Sequence, residues 1–218
     1  MEAPPGSSQP LRARIVLLAG PSGSGKTHLA AQSGLPVLEL DDFYRSGDDP
    51  ELPRDASLGI VDWDDPGAWD AAGAVEAIEQ ICRTGSADVP VYDMAQDGRV
   101  GSRRFDVGGH SRLVGTGIFA AEIVAACAEC GVLADAVVVR RARWKNFLRR
   151  LRRDLAERRK PALTLVRRGI ALFHTETSVI ERQIALGCRP CDRRETLDAL
   201  RVARTLKGSG NAVEGDGS

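Results

Sequence analysis

Short apolar runs alternate with amphipathic stretches along most of the chain, and this alternation predicts a parallel sheet covered by helices. The strand candidates are residues 14–19, 36–40, 89–92, 113–118 and 136–139, each short and rich in Val, Ile or Leu. Between them, residues 26–32, 68–82 and 119–129 carry the helical period. Further on, Trp144, Phe147, Leu148, Leu151 and Leu155 fall on one stripe, while Arg149, Arg150 and Arg153 project from the other side. Such a helix is apolar below and guanidinium-rich above, suited to lie on a core and face an anion. Residues 164–187 read as another helix ending at Gly187, and 193–206 as a short last one. Residues 1–10 and 208–218 are rich in Gly, Ser and Pro and predict tails, because they bury too little to offset the entropy of ordering. That leaves residues 11–207 as a single domain without an internal repeat.

Composition adds two facts to this picture. The 30 basic residues balance the 30 acidic ones, so no net field draws the chain toward nucleic acid or a membrane. The balance nonetheless hides two opposed blocks. Residues 39–70 hold eleven acidic residues against Arg45 and Arg54, whereas residues 140–168 hold thirteen basic residues against Asp154 and Glu157. Such opposition suits a site where carboxylates meet a metal or hydroxyl and guanidinium groups meet phosphate. The apolar run Ile15 to Ala19 is too short for a signal peptide or a membrane span, and the expectation is a cytoplasmic protein. Five cysteines do not form a secreted disulfide framework. The pairs Cys127/Cys130 and Cys188/Cys191 have C-x₂-C spacing, but the separation between pairs is long for a zinc module, and buried thiols are the favoured account.

The chemistry begins at "GPSGSGKT". Gly20, Pro21, Ser22, Gly23, Ser24, Gly25, Lys26 and Thr27 satisfy G-x-x-x-x-G-K-[ST], with a predicted strand before and a predicted helix after. Glycines let successive backbone N–H groups turn toward phosphate oxygens, and the helix N-terminus adds partial positive charge. Lys26 is placed to reach the outer phosphates of ATP, and the Thr27 hydroxyl to ligate Mg²⁺. His28 is expected on the helix surface. In "LELDDFY", Asp41, Asp42 and Tyr44 follow the second strand, at the edge where open parallel sheets bind ligands. A carboxylate there can orient an acceptor hydroxyl and take its proton as the oxygen attacks the γ-phosphorus, while Asp-Asp is also a common helix cap or turn opener.

The blocks "GPSGSGKT", "LDDFY", "DWDDPGAWD", "PVYDMAQDGR", "TGIFAAEIV" and "RRLRRDLAERRK" occur in the order and spacing of the uridine kinase family, which the chain resembles over roughly residues 13 to 160. The resemblance implies a P-loop α/β three-layer sandwich with a basic helical lid over about residues 141–161. It implies transfer of the γ-phosphate of ATP, with Mg²⁺, to the 5′-hydroxyl of uridine or cytidine. By position, Asp41 resembles the catalytic carboxylate, Tyr44 its pocket companion and Asp64 the ribose-binding aspartate. Tyr92 matches an aromatic residue beside the base and Arg99 the arginine a few positions later, both expected to bind substrate. Arg150, Arg153, Arg158 and Lys160 match the lid residues that close over ATP and spread positive charge over the phosphoryl group.

Three positions depart from the family. Thr116 stands where Glu usually ends the fourth strand, Asp97 where His usually reads the base, and Asp65 where His usually follows the ribose aspartate. The alternatives are a kinase of the same superfamily with a non-nucleoside acceptor, and a nucleotide-binding regulatory protein that has lost catalysis. The expected partner is a small-molecule substrate, with neither nucleic acid nor membrane; a homo-oligomer is left open. His110 and His174 lack ligand spacing.

Overall fold

The computed structural model describes residues 10–21, 23–55, 59–140 and 178–205. The expected basic lid with Arg150, Arg153, Arg158 and Lys160, and Ser22 of the glycine loop, lie outside the described residues.

Five parallel strands form the central sheet: β1 (Arg14–Ala19), β2 (Val37–Glu39), β5 (Arg112–Thr116), β6 (Leu133–Val139) and β7 (Arg189–Cys191), in the order β2-β5-β1-β6-β7. Strand β1 lies in the middle, and Ile15 to Ala19 are all fully buried. Its run of apolar residues without alternation is what a strand covered on both faces requires. One face packs against α1 (Lys26–Ser33) and α5 (Arg193–Thr205), through Val16, Leu18, Val114 and Val137 against Leu29, Ala30 and Leu200. The other face packs against α2 (Ala71–Thr84), α3 (Val124–Glu129) and Ile180 of α4 (residues 178–185), through Ile15, Leu17, Leu38 and Leu113. The result is the expected α/β three-layer sandwich.

Local chemistry sets the helix limits. Asp70 caps α2, its carboxylate accepting from the Gly73 N–H at 2.9 Å, and Gly85 ends it in the left-handed conformation. That cap starts the helix at Ala71, later than expected; Ala68 belongs to a separate 3₁₀ turn, Pro66–Ala68. Residues 119–129 are likewise only half α-helical, since Ala120–Ile123 form a 3₁₀ turn before α3. On α2, Ala74, Ala77, Ile78, Ile81 and Cys82 make the buried stripe. Burying Ile78 and Ile81 contributes about 1.5–3 kcal/mol each.

Two expectations are corrected. The run at residues 89–92 is not part of the parallel sheet: it lies in β3 (Ser86–Asp93), which pairs antiparallel with β4 (Gly98–Asp106) as a separate hairpin. Strand β4 is mostly solvent-facing and therefore carries almost no apolar pattern to find. The fifth parallel strand is instead β7, whose three residues include a proline tolerated at the sheet edge.

Candidate active site

The glycine loop leaves β1 and runs straight into α1. Gly20, Gly23 and Gly25 have φ of 144°, 78° and 90°, values that side chains disfavour. Gly25 occupies the N-cap of α1 with no side-chain cap, and the first turn holds no acidic residue. The positive end of this eight-residue helix is thus left for an external anion. Lys26 Nζ donates to the carbonyls of Gly20 at 2.7 Å and Pro21 at 3.2 Å, which holds the ammonium back over the loop. A Cβ on Gly20 would lie 3.1 Å from Ser24 Oγ, itself fully buried without a hydrogen-bond partner. A cradle that a methyl group would crowd, an orphaned hydroxyl and an uncapped helix end together fit a bound phosphate. His28 sits on the exposed side of α1 beside Gln32.

Strand β2 ends in a 3₁₀ turn, Leu40–Phe43, that turns Asp41 toward the loop. Asp41 Oδ1 accepts from the Ile118 N–H at 3.3 Å. Burial raises the carboxyl above its ordinary value, while the Lys26 charge and this hydrogen bond act the other way. Asp41 and Lys26 therefore share one electrostatic neighbourhood. No side chain fits at Gly117, where a Cβ would stand 2.9 Å from Leu40 Cβ and 3.0 Å from Asp41 Oδ1. The Ile118 carbonyl in turn accepts from Gln183 Nε2 of α4 at 2.9 Å.

Beside Asp41, the Tyr44 hydroxyl is pushed well above its usual range by burial and by the charges of Asp41 and Asp64. The structure thus brings Asp41, Tyr44, Asp64 and Tyr92 to one place. The Tyr44 ring lies 5.8 Å from Trp63, 5.6 Å from Tyr92 and 5.8 Å from Phe119, centroid to centroid, and its O–H donates to the Trp63 carbonyl at 3.2 Å. Sequence reasoning missed Trp63 and Phe119; the available signal was an aromatic residue inside each of two matched blocks. It also missed Glu39, raised by burial and by the adjacent Asp41 and Asp42 charges.

Arg99 has a structural job. Its guanidinium donates to the carbonyls of Tyr44 at 3.1 Å and Phe43 at 3.3 Å and pairs with Asp70 at 2.9 Å, tying β4 to the turn that carries Asp41. Asp42 fastens the same hairpin from the other side, accepting from the Tyr92 N–H at 3.4 Å and pairing with Arg103 at 3.3 Å. Asp65 caps the 3₁₀ turn Pro66–Ala68 through Gly67 N–H at 2.7 Å. Asp97 holds the hairpin bend at φ 46°, its carbonyl accepting from Gly47 N–H at 2.6 Å. A cleft of about 570 Å³ beside Arg45, Asp70 and Arg99 has four of its lining charges paired with one another, Arg45 with Asp49 at 2.9 Å and Arg99 with Asp70.

The cysteines do not converge. Cys127 and Cys188 pack in the layer with α2 and α3, while Cys191 packs on the opposite face of the sheet. Among the described residues no group of three His, Cys, Asp or Glu side chains could hold a metal ion, and no helix is long and apolar enough to cross a membrane. A nucleotide-bound Mg²⁺ needs fewer protein ligands, since phosphates and water supply the rest. Thr27 and Asp41 fit that smaller requirement.

No protein-family model matches the chain, and no curated protein matches it. Solved structures do. A protein provisionally described as a fructose transport system kinase from Silicibacter sp. TM1040 superposes with a TM-score of 0.56 at 17% identity, over 81% of this chain and 87% of that one. A protein described as a possible uridine kinase from Bacillus stearothermophilus gives 0.46 at 17% identity, over 78% and 85%. The protein YGR205w gives 0.49 at 16% identity, over 84% and 87%. At such identity the first of these establishes a shared fold. The chain shares that structure's fold, a mostly parallel α/β sandwich.

Proposed function

We propose that the chain is an ATP-dependent kinase that phosphorylates an alcohol of a small molecule, the 5′-hydroxyl of uridine, cytidine or a related ribosyl compound. The observation that carries this reading is the shared neighbourhood of Lys26 and Asp41 at the carboxyl edge of one sheet. The loop amides and Lys26 hold the β- and γ-phosphates. Asp41 orients the acceptor hydroxyl and takes its proton as the oxygen attacks the γ-phosphorus; the bond to the β-phosphate oxygen breaks and ADP leaves. Asp64 receives vicinal hydroxyls of the acceptor, and Tyr44, Trp63 and Tyr92 wall its body. When bound through Thr27 and Asp41, Mg²⁺ neutralises phosphate charge. Arg150, Arg153, Arg158 and Lys160 supply the remaining positive charge from the lid.

The kinase description of the structure that superposes at 0.56 supports phosphoryl transfer in general. A non-nucleoside acceptor is the second reading, favoured by one observation: the Asp65 carboxylate caps the 3₁₀ turn Pro66–Ala68, so the position after the expected ribose-binding aspartate serves the turn rather than a nucleoside. An ADP-release assay over uridine, cytidine, pantothenate, sugars and sugar phosphates tests both. Turnover with a nucleoside supports the first, and turnover with only a sugar or pantothenate supports the second. Nucleotide binding without turnover on any acceptor overturns catalysis and leaves a regulatory nucleotide-binding protein.

A further inference from the structure

Resting on the kinase reading above, we propose that Glu39 is the carboxylate that secures the nucleotide's Mg²⁺ on the α1 side of the sheet. The phosphate cradle and Thr27 lie at the start of α1, so a metal held by the Thr27 hydroxyl would sit on the face of the sheet that α1 covers. Side chains alternate along a strand, and paired positions on neighbouring strands share a face. Val37 packs on the α1 face together with Val16, Leu18, Val114 and Val139. Two residues on, Glu39 takes that same face at the carboxyl end of β2.

The other strands offer no acid there. The last α1-facing residues are Leu18 on β1, Thr116 on β5, Val139 on β6 and Cys191 on β7. Glu39 is the one carboxylate among these five strand ends. It pairs in register with Thr116, so the strand next to β1 presents a neutral hydroxyl and the carboxylate stands one strand further out, about 4.8 Å to the side. Asp41 follows in the 3₁₀ turn, where it steers the acceptor hydroxyl and reaches the metal from the acceptor side. Glu39 is thus a second carboxylate, restraining the metal from the α1 side.

Mn²⁺ affinity in the presence of the non-hydrolysable analogue AMP-PNP, read by electron paramagnetic resonance, tests this without turnover. Glu39→Gln keeps the shape of the side chain and removes its charge. It is expected to weaken Mn²⁺ binding by about tenfold or more, with AMP-PNP affinity in EDTA unchanged. Adding Thr116→Glu to Glu39→Gln returns a carboxylate to the same face and is expected to recover most of the loss. Unchanged Mn²⁺ affinity in Glu39→Gln, loss of metal-free nucleotide binding, or no recovery in the double variant each overturns the assignment of Glu39. If the wild-type chain binds no AMP-PNP, the kinase reading falls and takes this inference with it.

Discussion

The two halves of the candidate site are built in opposite ways. The phosphate half is backbone: a loop of glycines between a buried central strand and a helix, with its geometry fixed by three positive φ angles. The acceptor half is side chain. It gathers Asp41, Tyr44, Trp63, Tyr92 and Phe119 from separated segments. One of these segments is a hairpin outside the main sheet, fastened to the Asp41 turn by the polar clasps of Arg99 and Asp42. A backbone cradle suits a ligand part that never changes. A side-chain cage on a clasped hairpin can be re-cut for a new acceptor while the cradle stays as it is.

If that division holds, a cut on each side registers in a different quantity. Asp41→Asn is expected to lower turnover by about 10³-fold, with AMP-PNP affinity in EDTA unchanged. Its stability moves the other way. Burial lifts the folded Asp41 carboxyl above its ordinary 3.8, so the folded state binds this proton more tightly than the unfolded state. Stability therefore falls as pH rises from the ordinary value through the folded one, and the cost is complete above it. Asn removes that cost: Tm should exceed wild type at neutral pH, with the gap closing on acidification in a thermal-melt series. An Asn variant that melts below wild type at neutral pH would refute this sign.

A smaller effect belongs to Gly117→Ala, which forces a methyl group against Leu40 and Asp41. Chemical denaturation should show a loss of about 1–3 kcal/mol, accompanied by reduced turnover. Equal activity and stability would mean that the Asp41 turn yields easily. Smallest is Arg99→Ala, which removes one clasp of the hairpin. Hydrogen exchange of β3–β4 amides should accelerate about tenfold, with β1 and β6 unaffected. Acceleration throughout the sheet would show that the hairpin is not a separate unit.

The same division explains what could be read in advance. Strand β1, the loop and α1 are spelled by a contiguous motif whose residue types are demanded by backbone shape, and residues 14–19 are the strand expected. That Asp41, Tyr44, Asp64 and Tyr92 come together was legible because each sits in a distinctive short block. Strand β4 was not, since its side chains face water on most positions and leave no period. Neither was the role of Arg99: a guanidinium spent on two carbonyls and a helix cap looks, in one dimension, like any other arginine near a pocket. Glu39 stayed hidden because its meaning depends on register with Thr116, a relation between strands 77 positions apart in the chain.

The placement of the thiols has a use of its own. Cys82, Cys127 and Cys188 lie in one layer and Cys191 in the other, all buried, and burial pushes the first three up to about 12. In the native protein these three are protonated and shielded from alkylating reagents. Each therefore serves as a built-in timer for the separation of its own layer from the sheet, with Cys191 as the one timer on the side that carries the glycine loop.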